Sequence, residues 1–167
     1  MIELFAEKKN CCGCGACSSI CPKNAITMQE DEYGFIYPEI DSKKCVECGL
    51  CISSCHYKSA DDLHTPIKSL AAVNRDDTLL ENSASGGMFS AIAEAFLNEG
   101  GCVCGAAMDF KDNVADVRHI MIHSLNELYR LQKSKYVQSS TDKIYKELRT
   151  LLKKWRESAV FGYTLSG

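Results

Sequence analysis

Apolar and polar positions alternate in two different ways along the chain, and this divides it into two parts. Residues 25–28 and 35–40 are β-prone runs on either side of the turn-forming residues 31–34, which predicts a β-hairpin. Pro38 limits the second run to an edge position. From about residue 69 onward, strand-like and helix-like patterns follow one another, as expected of an α/β domain. We therefore predict an α+β chain in which a small first domain precedes a partial α/β domain.

The second part begins with a predicted short strand at residues 69–73, followed by a helix at residues 88–97 that ends before two glycines. Residues 102–108 and 114–122 predict two further strands. Ser124 and Glu127 have the spacing of a capping box, which predicts the start of another helix.

A long amphipathic helix is predicted to start at Thr141, and residues 159–161 are predicted to begin a strand. The apolar face of this helix comprises Ile144, Leu148, Leu151, Leu152 and Trp155. We place the first domain at residues 1–62, a connector with the first strand at residues 63–82, and the α/β domain at residues 83–167.

Eight of the eleven cysteines form two runs with the same spacing, C-x2-C-x2-C-x3-C. This spacing holds iron–sulfur clusters of the bacterial ferredoxin kind. Structural zinc and a disulfide framework are the less favoured alternatives, because both four-cysteine runs are complete and residues 1–5 do not resemble a secretory leader. The first run is Cys11, Cys14, Cys17 and Cys21, and the second is Cys45, Cys48, Cys51 and Cys55.

Residues 10–60 resemble a two-cluster 4Fe-4S ferredoxin domain, in which the fourth cysteine of each run binds the other cluster. The resemblance implies one cluster on Cys11, Cys14, Cys17 and Cys55, and another on Cys45, Cys48, Cys51 and Cys21. Cys12 is out of register and is interpreted as a spare thiol, and His56, which replaces the usual proline, as an exposed histidine. A domain this rich in cysteine buries little apolar surface, so metal binding must supply much of its folding free energy.

Composition limits the classes of partner. The net charge is −3, and acidic and basic residues are mixed along the chain. This argues against a nucleic-acid partner. No hydrophobic stretch reaches membrane-spanning length. We expect a cytoplasmic protein of an oxygen-poor cell, which exchanges electrons with a redox partner protein or another oxidoreductase subunit.

A second group of candidate residues lies outside the cysteine runs. Ser85, Gly86 and Gly87 precede a predicted helix, where free N–H groups and the helix dipole favour an anion. An ordinary helix cap with flexible glycines is the alternative. Lys135 and Tyr136 offer a charge and a stacking face to a flavin or phosphate, although an ordinary loop would also contain them. Cys102 and Cys104 are interpreted as core residues rather than redox residues.

The order of these motifs resembles the family of the beta subunit of coenzyme F420 hydrogenase/dehydrogenase. The resemblance rests on the cysteine runs, on residues 85–87 and on residues 134–139, and it covers nearly the whole chain. It implies an iron–sulfur flavoprotein oxidoreductase that binds two 4Fe-4S clusters and FAD, with Ser85, Gly86, Gly87 and Lys135 at the flavin. A ferredoxin-like electron carrier without flavin is the alternative function.

The end of the chain departs from the family pattern. Family members continue through the peptide Gly-Thr-Pro-Cys-Gln, whereas this chain ends with residues 161–167. One possible coding of these residues, read one base later, yields that peptide. We therefore expect a frameshifted and truncated family member whose C-terminal catalytic part is missing. A deliberately short protein that pairs with another chain is the alternative.

Overall fold

The computed structural model describes residues 2–58, 65–141 and 144–160, the last five as backbone only. The described residues up to 58 and those from 141 onward form one compact unit, and residues 65–140 form another. Each unit contains helices and a two-stranded antiparallel sheet, so the predicted α+β class is confirmed. Residues from 141 onward group with the first unit, although the sequence analysis assigned them to the second domain.

The first unit is built on a hairpin and two short helices. Strands β1, Ile26–Glu30, and β2, Ile36–Ile40, form the predicted hairpin, with Ile26 opposite Ile40. Helices α1, Ala16–Ile20, and α2, Leu50–Ser53, each follow a cysteine loop. Two 3-10 turns, Lys8–Asn10 and His56–Lys58, complete the described elements of this part. Its buried apolar core consists of Leu4, Ile26 and Cys51, which agrees with the small apolar core expected from the sequence.

The second unit contains a short helix, α3, Asp77–Glu81, and a longer helix, α4, Met88–Asn98. Strands β3, Val103–Lys111, and β4, Val114–Ile122, confirm the predicted pair of strands. They are joined by Asp112 and Asn113, whose φ angles of 51° and 63° fit a two-residue hairpin turn. A 3-10 segment, Leu125–Arg130, follows. The buried core comprises Ala93, Leu97, Ala107, Ile122, Leu128 and Leu131.

The long helix α5 runs from Ile144 to Val160 and belongs to the first unit. Ile144 is buried and Leu148 and Leu151 are half-buried, which confirms the start of the predicted apolar face. Leu152 and Trp155, farther along this face, are 56% and 61% exposed. The predicted strand at residues 159–161 is wrong for residues 159 and 160, because neither glycine nor proline interrupts the helix before them.

Two further predictions differ from the structure. Residues 69–73 form no strand, because a strand needs a paired neighbour and none among the described residues pairs with them. Ser124 precedes a 3-10 segment and donates its Oγ hydrogen bond to Glu127 Oε2 at 3.0 Å. In a capping box the serine oxygen would accept a backbone N–H instead.

Residues 161–167, on which the expected frameshift rests, lie outside the described residues. Within the described ranges, every helix is too short or too polar to span a bilayer.

Candidate functional site

The two cysteine loops of the first unit share one local conformation. Gly15 and Gly49 immediately precede α1 and α2 and have φ angles of 73° and 75°. A left-handed residue here costs glycine little, whereas a side chain would be strained. Each glycine therefore reverses the chain so that the third cysteine of its run, Cys17 or Cys51, lies in the first turn of a short helix.

The first predicted set of cysteines comprises three members of the first run and one from the second. Burial raises the pKa of Cys11, and the charges of Cys12 and Cys55 add to this effect. Burial likewise raises the pKa of Cys17 to about 11, with smaller contributions from Cys14 and Cys11. Crossed ligation, in which Cys55 completes the first set, stays a prediction from the cysteine spacing.

The second set lies around one small cavity of the first unit. Cys21, from the first run, lines this cavity together with Cys45, Cys48 and Cys51 from the second. Burial raises the pKa of Cys51, and the charges of Cys45 and Cys48 add to it. The Ala25 N–H donates to Cys21 Sγ at 3.3 Å, a backbone contact of the kind that supports sulfur ligands.

The two sets fit iron–sulfur clusters in their donor chemistry. Thiolates are the ligands that such clusters take, and the Gly13 N–H already donates to Cys11 Sγ at 3.4 Å. Because the pKa values of several of these thiols are raised, binding iron must displace protons from them. Within the described ranges, no three His, Cys, Asp or Glu side chains meet closely enough to hold a single metal ion. Cys12 and Cys48 are both exposed.

The second unit contains a cleft of about 710 Å³, a volume typical of small-molecule sites. Its lining comes from residues 70–72, 83–90 and 131–134. The cleft therefore brings Ser85, Gly86 and Gly87, at the start of α4, together with Ser134, the first residue of the second predicted motif. Segments about 45 residues apart in sequence thus meet at one surface.

Gly86 and Gly87 have distinct structural roles at this cleft. A Cβ on Gly86 would lie 2.3 Å from the carbonyl oxygen of Ala72, and the Gly86 carbonyl accepts a bond from the Asn74 N–H at 2.7 Å. Gly86 therefore permits close approach of the segment that forms one wall of the cleft. Gly87 has a φ of 73° and precedes α4, so it sets the entry direction of that helix.

Lys135 lies outside the residues that line the cleft. Its ammonium donates to the carbonyl oxygens of Arg130, Gln132 and Lys133, and burial lowers its pKa. Lys135 therefore holds the loop at residues 130–133 in a turn. Tyr136 is 93% exposed.

A buried polar chain along the cleft was missed in the sequence analysis. Gln132 Nε2 donates to Ser90 Oγ at 3.1 Å, and Ser90 Oγ lies 2.9 Å from Ser83 Oγ. Ser83 Oγ in turn donates to the Leu79 carbonyl at 2.7 Å. Ser90 and Gln132 are only 2% and 8% exposed. No periodicity or motif links residues that are 42 positions apart, so only the folded structure brings them together.

Comparison with known proteins finds matches in two successive parts of the chain. Residues 10–59 match the family model of the 4Fe-4S dicluster domain. An uncharacterized ferredoxin of Methanocaldococcus jannaschii is 36% identical over 36 residues, which is 22% of this chain and 47% of that protein. The chain thus spans about half the length of this curated relative. The first unit defines the chain as an iron–sulfur protein of the ferredoxin type.

A second match covers the following part of the chain. Residues 69–146 match the N-terminal model of the coenzyme F420 hydrogenase/dehydrogenase beta subunit. This match and the match of residues 10–59 confirm the resemblance to that family found in the sequence.

Proposed function

We propose that this chain is the iron–sulfur part of a flavin-dependent oxidoreductase, with two 4Fe-4S clusters in the first unit and FAD at the cleft of the second. When bound, the clusters supply one-electron transfer and the flavin supplies exchange between one-electron and two-electron chemistry. The observation that carries the proposal is the convergence of residues 83–90 and 131–134 on one cleft, in the unit that matches the beta-subunit family.

The chain's own residues have separate tasks in this function. Four cysteines hold each cluster, in the crossed arrangement of Cys21 with the second run and Cys55 with the first. Ser85 and the first residues of α4 line the cleft, where the N–H groups of a helix start suit a phosphate or another anionic part of the cofactor. Gly86 and Gly87 shape the wall and the helix start, and Lys135 keeps the opposite loop in its turn.

The test is anaerobic purification of the full chain, followed by iron, sulfide and flavin analysis of one sample. About eight irons together with bound flavin support the proposal. Ala84→Trp should fill the cleft and remove flavin, because Ala84 lines it, whereas Ala115→Trp on the exposed part of β4 should retain flavin. Iron content should be equal in both variants. Equal flavin content in both would overturn the proposal for this cleft.

An electron carrier without flavin is the second candidate, and the similarity to a ferredoxin favours it. Eight irons in the wild-type chain without any flavin would select this function. In either case the proposal includes a redox partner protein or another oxidoreductase subunit. It also includes a reducing cytoplasm, because a chain rich in free thiols suits such a compartment.

A further inference from the structure

The buried chain of hydroxyl groups beside the cleft has a defined direction. Ser83 has one hydroxyl proton, and it goes to the Leu79 carbonyl, which only accepts. Ser83 therefore accepts from the Ser90 hydroxyl, and Ser90 in turn accepts from Gln132 Nε2. The hydrogen bonds therefore all run in one direction, from Gln132 through Ser90 and Ser83 to the Leu79 carbonyl.

This direction determines the orientation of the Gln132 amide. Amide oxygen and nitrogen positions are assigned from hydrogen bonding. Because the hydroxyl proton of Ser90 is donated to Ser83, Ser90 Oγ can only accept from Gln132. The amide nitrogen of Gln132 must therefore face Ser90. One N–H and the Oε1 oxygen of Gln132 then remain, and neither has a hydrogen-bond partner among the described residues. Gln132 lines the cleft, so a ligand in the cleft can use this remaining hydrogen-bonding capacity.

The remaining groups form an adjacent donor and acceptor at the wall of the cleft. Their complement is an acceptor and donor side by side, which is the C=O and N–H edge of an imide or amide heterocycle. Building on the proposed flavin site, we infer that Gln132 is a specificity-determining residue that binds the N3–H and neighbouring carbonyl of the isoalloxazine ring. Ser90 and Ser83 are positioning residues for this contact.

Equilibrium dialysis of the full, cluster-loaded chain with FAD and with N3-methyl FAD tests the assignment. Methylation removes the N3–H of the flavin, which donates to Gln132 Oε1 in this assignment. The wild-type chain should therefore bind N3-methyl FAD about tenfold more weakly, as expected for loss of one buried hydrogen bond. Gln132→Met keeps the length of the side chain and removes its hydrogen bonds. It should bind both flavins with equal affinity.

Two further variants separate this contact from a general loss of structure. Ser90→Ala leaves Gln132 in place without its anchor and should reduce the preference for FAD to an intermediate value. Gln29→Met changes the same residue type in the hairpin of the first unit and should keep the full preference. If the wild-type chain binds both flavins equally, or Gln132→Met keeps the preference, the assignment is wrong. If the wild-type chain binds neither flavin, the flavin proposal itself fails, and the assignment with it.

Discussion

The Thr141 hydroxyl donates a hydrogen bond to the carbonyl oxygen of Cys14 at 2.8 Å. Thr141 also fills the space beside Gly15, where an added Cβ would lie 2.5 Å from Thr141 Oγ1. The segment that leads into α5 therefore fixes the first cysteine loop, between the second and third cysteines of its run.

Replacement of Gly15 and Gly49 by alanine should have unequal effects. Both substitutions place a side chain in the left-handed region, at a cost of about 1–2 kcal/mol. Gly15→Ala should cost about 1 kcal/mol more, because Thr141 must turn away and lose its bond to Cys14, whereas an added Cβ at Gly49 meets nothing within 4 Å. Thermal unfolding of the cluster-loaded variants measures the difference. It should vanish when Thr141→Ala is added to both, and a difference that persists would contradict this account.

Crossed ligation predicts which cysteine holds which cluster. Cys21→Ala should lower the iron content from about eight to about four, whereas Cys12→Ala should leave it unchanged. Anaerobic alkylation followed by mass spectrometry identifies the cysteines that are released. In Cys21→Ala the newly modified residues should be Cys45, Cys48 and Cys51. Release of Cys14 and Cys17 instead would show that each run holds its own cluster.

Gly86→Ala should displace the wall of the cleft, because the added Cβ would approach the Ala72 carbonyl to 2.3 Å. The Asn74 N–H, which donates to the Gly86 carbonyl, should then exchange its hydrogen faster. Gly105→Ala is a suitable control, since its added Cβ would meet only Leu131, at an ordinary contact distance of 3.4 Å. Unchanged exchange at Asn74 in Gly86→Ala would rule out this role of the glycine.

The carboxyl of Glu127 should titrate below its ordinary value of 4.5. Its pKa is lowered first by the Ser124 hydroxyl bond and then by the His123 N–H. Because the folded pKa is depressed, the stabilisation by this carboxylate is complete above pH 4.5 and is lost as the pH falls through the folded value. Carbon-13 NMR titration of the Glu127 carboxyl measures this. Ser124→Ala should move its pKa upward, and an unaltered titration curve would refute the assigned cause.

Local sequence signals predicted the elements that depend on near neighbours. The turn at residues 31–34 fixes the first hairpin, and the repeated cysteine spacing fixes two loops that begin short helices. Residues 69–73 have strand-like composition but no paired neighbour among the described residues, so composition alone was misleading there. Residues 159 and 160 were misassigned to a strand because the helix that precedes them propagates through them.

The cleft of the second unit could be predicted only in part, because some of its contacts depend on residues that are distant in sequence. Residues 85–87 were recognisable from the sequence because serine and glycine directly before a helix are a local signal for an anion site. The sequence around Gln132 contains no such local signal, because its contact with Ser90 arises from tertiary packing. Lys135 was selected because of its positive charge, but in the fold its ammonium group donates hydrogen bonds to backbone carbonyls of its own loop.

Residues from 141 onward complete a unit whose other part ends about 80 positions earlier. In the order of synthesis, the first unit is therefore discontinuous, and residues 63–140 are inserted into it. Both cysteine runs leave the ribosome well before Thr141 and α5. The loop around Cys14 thus acquires its final support late, and we expect a cluster bound by this loop to be completed only after this distant part of the chain has been translated.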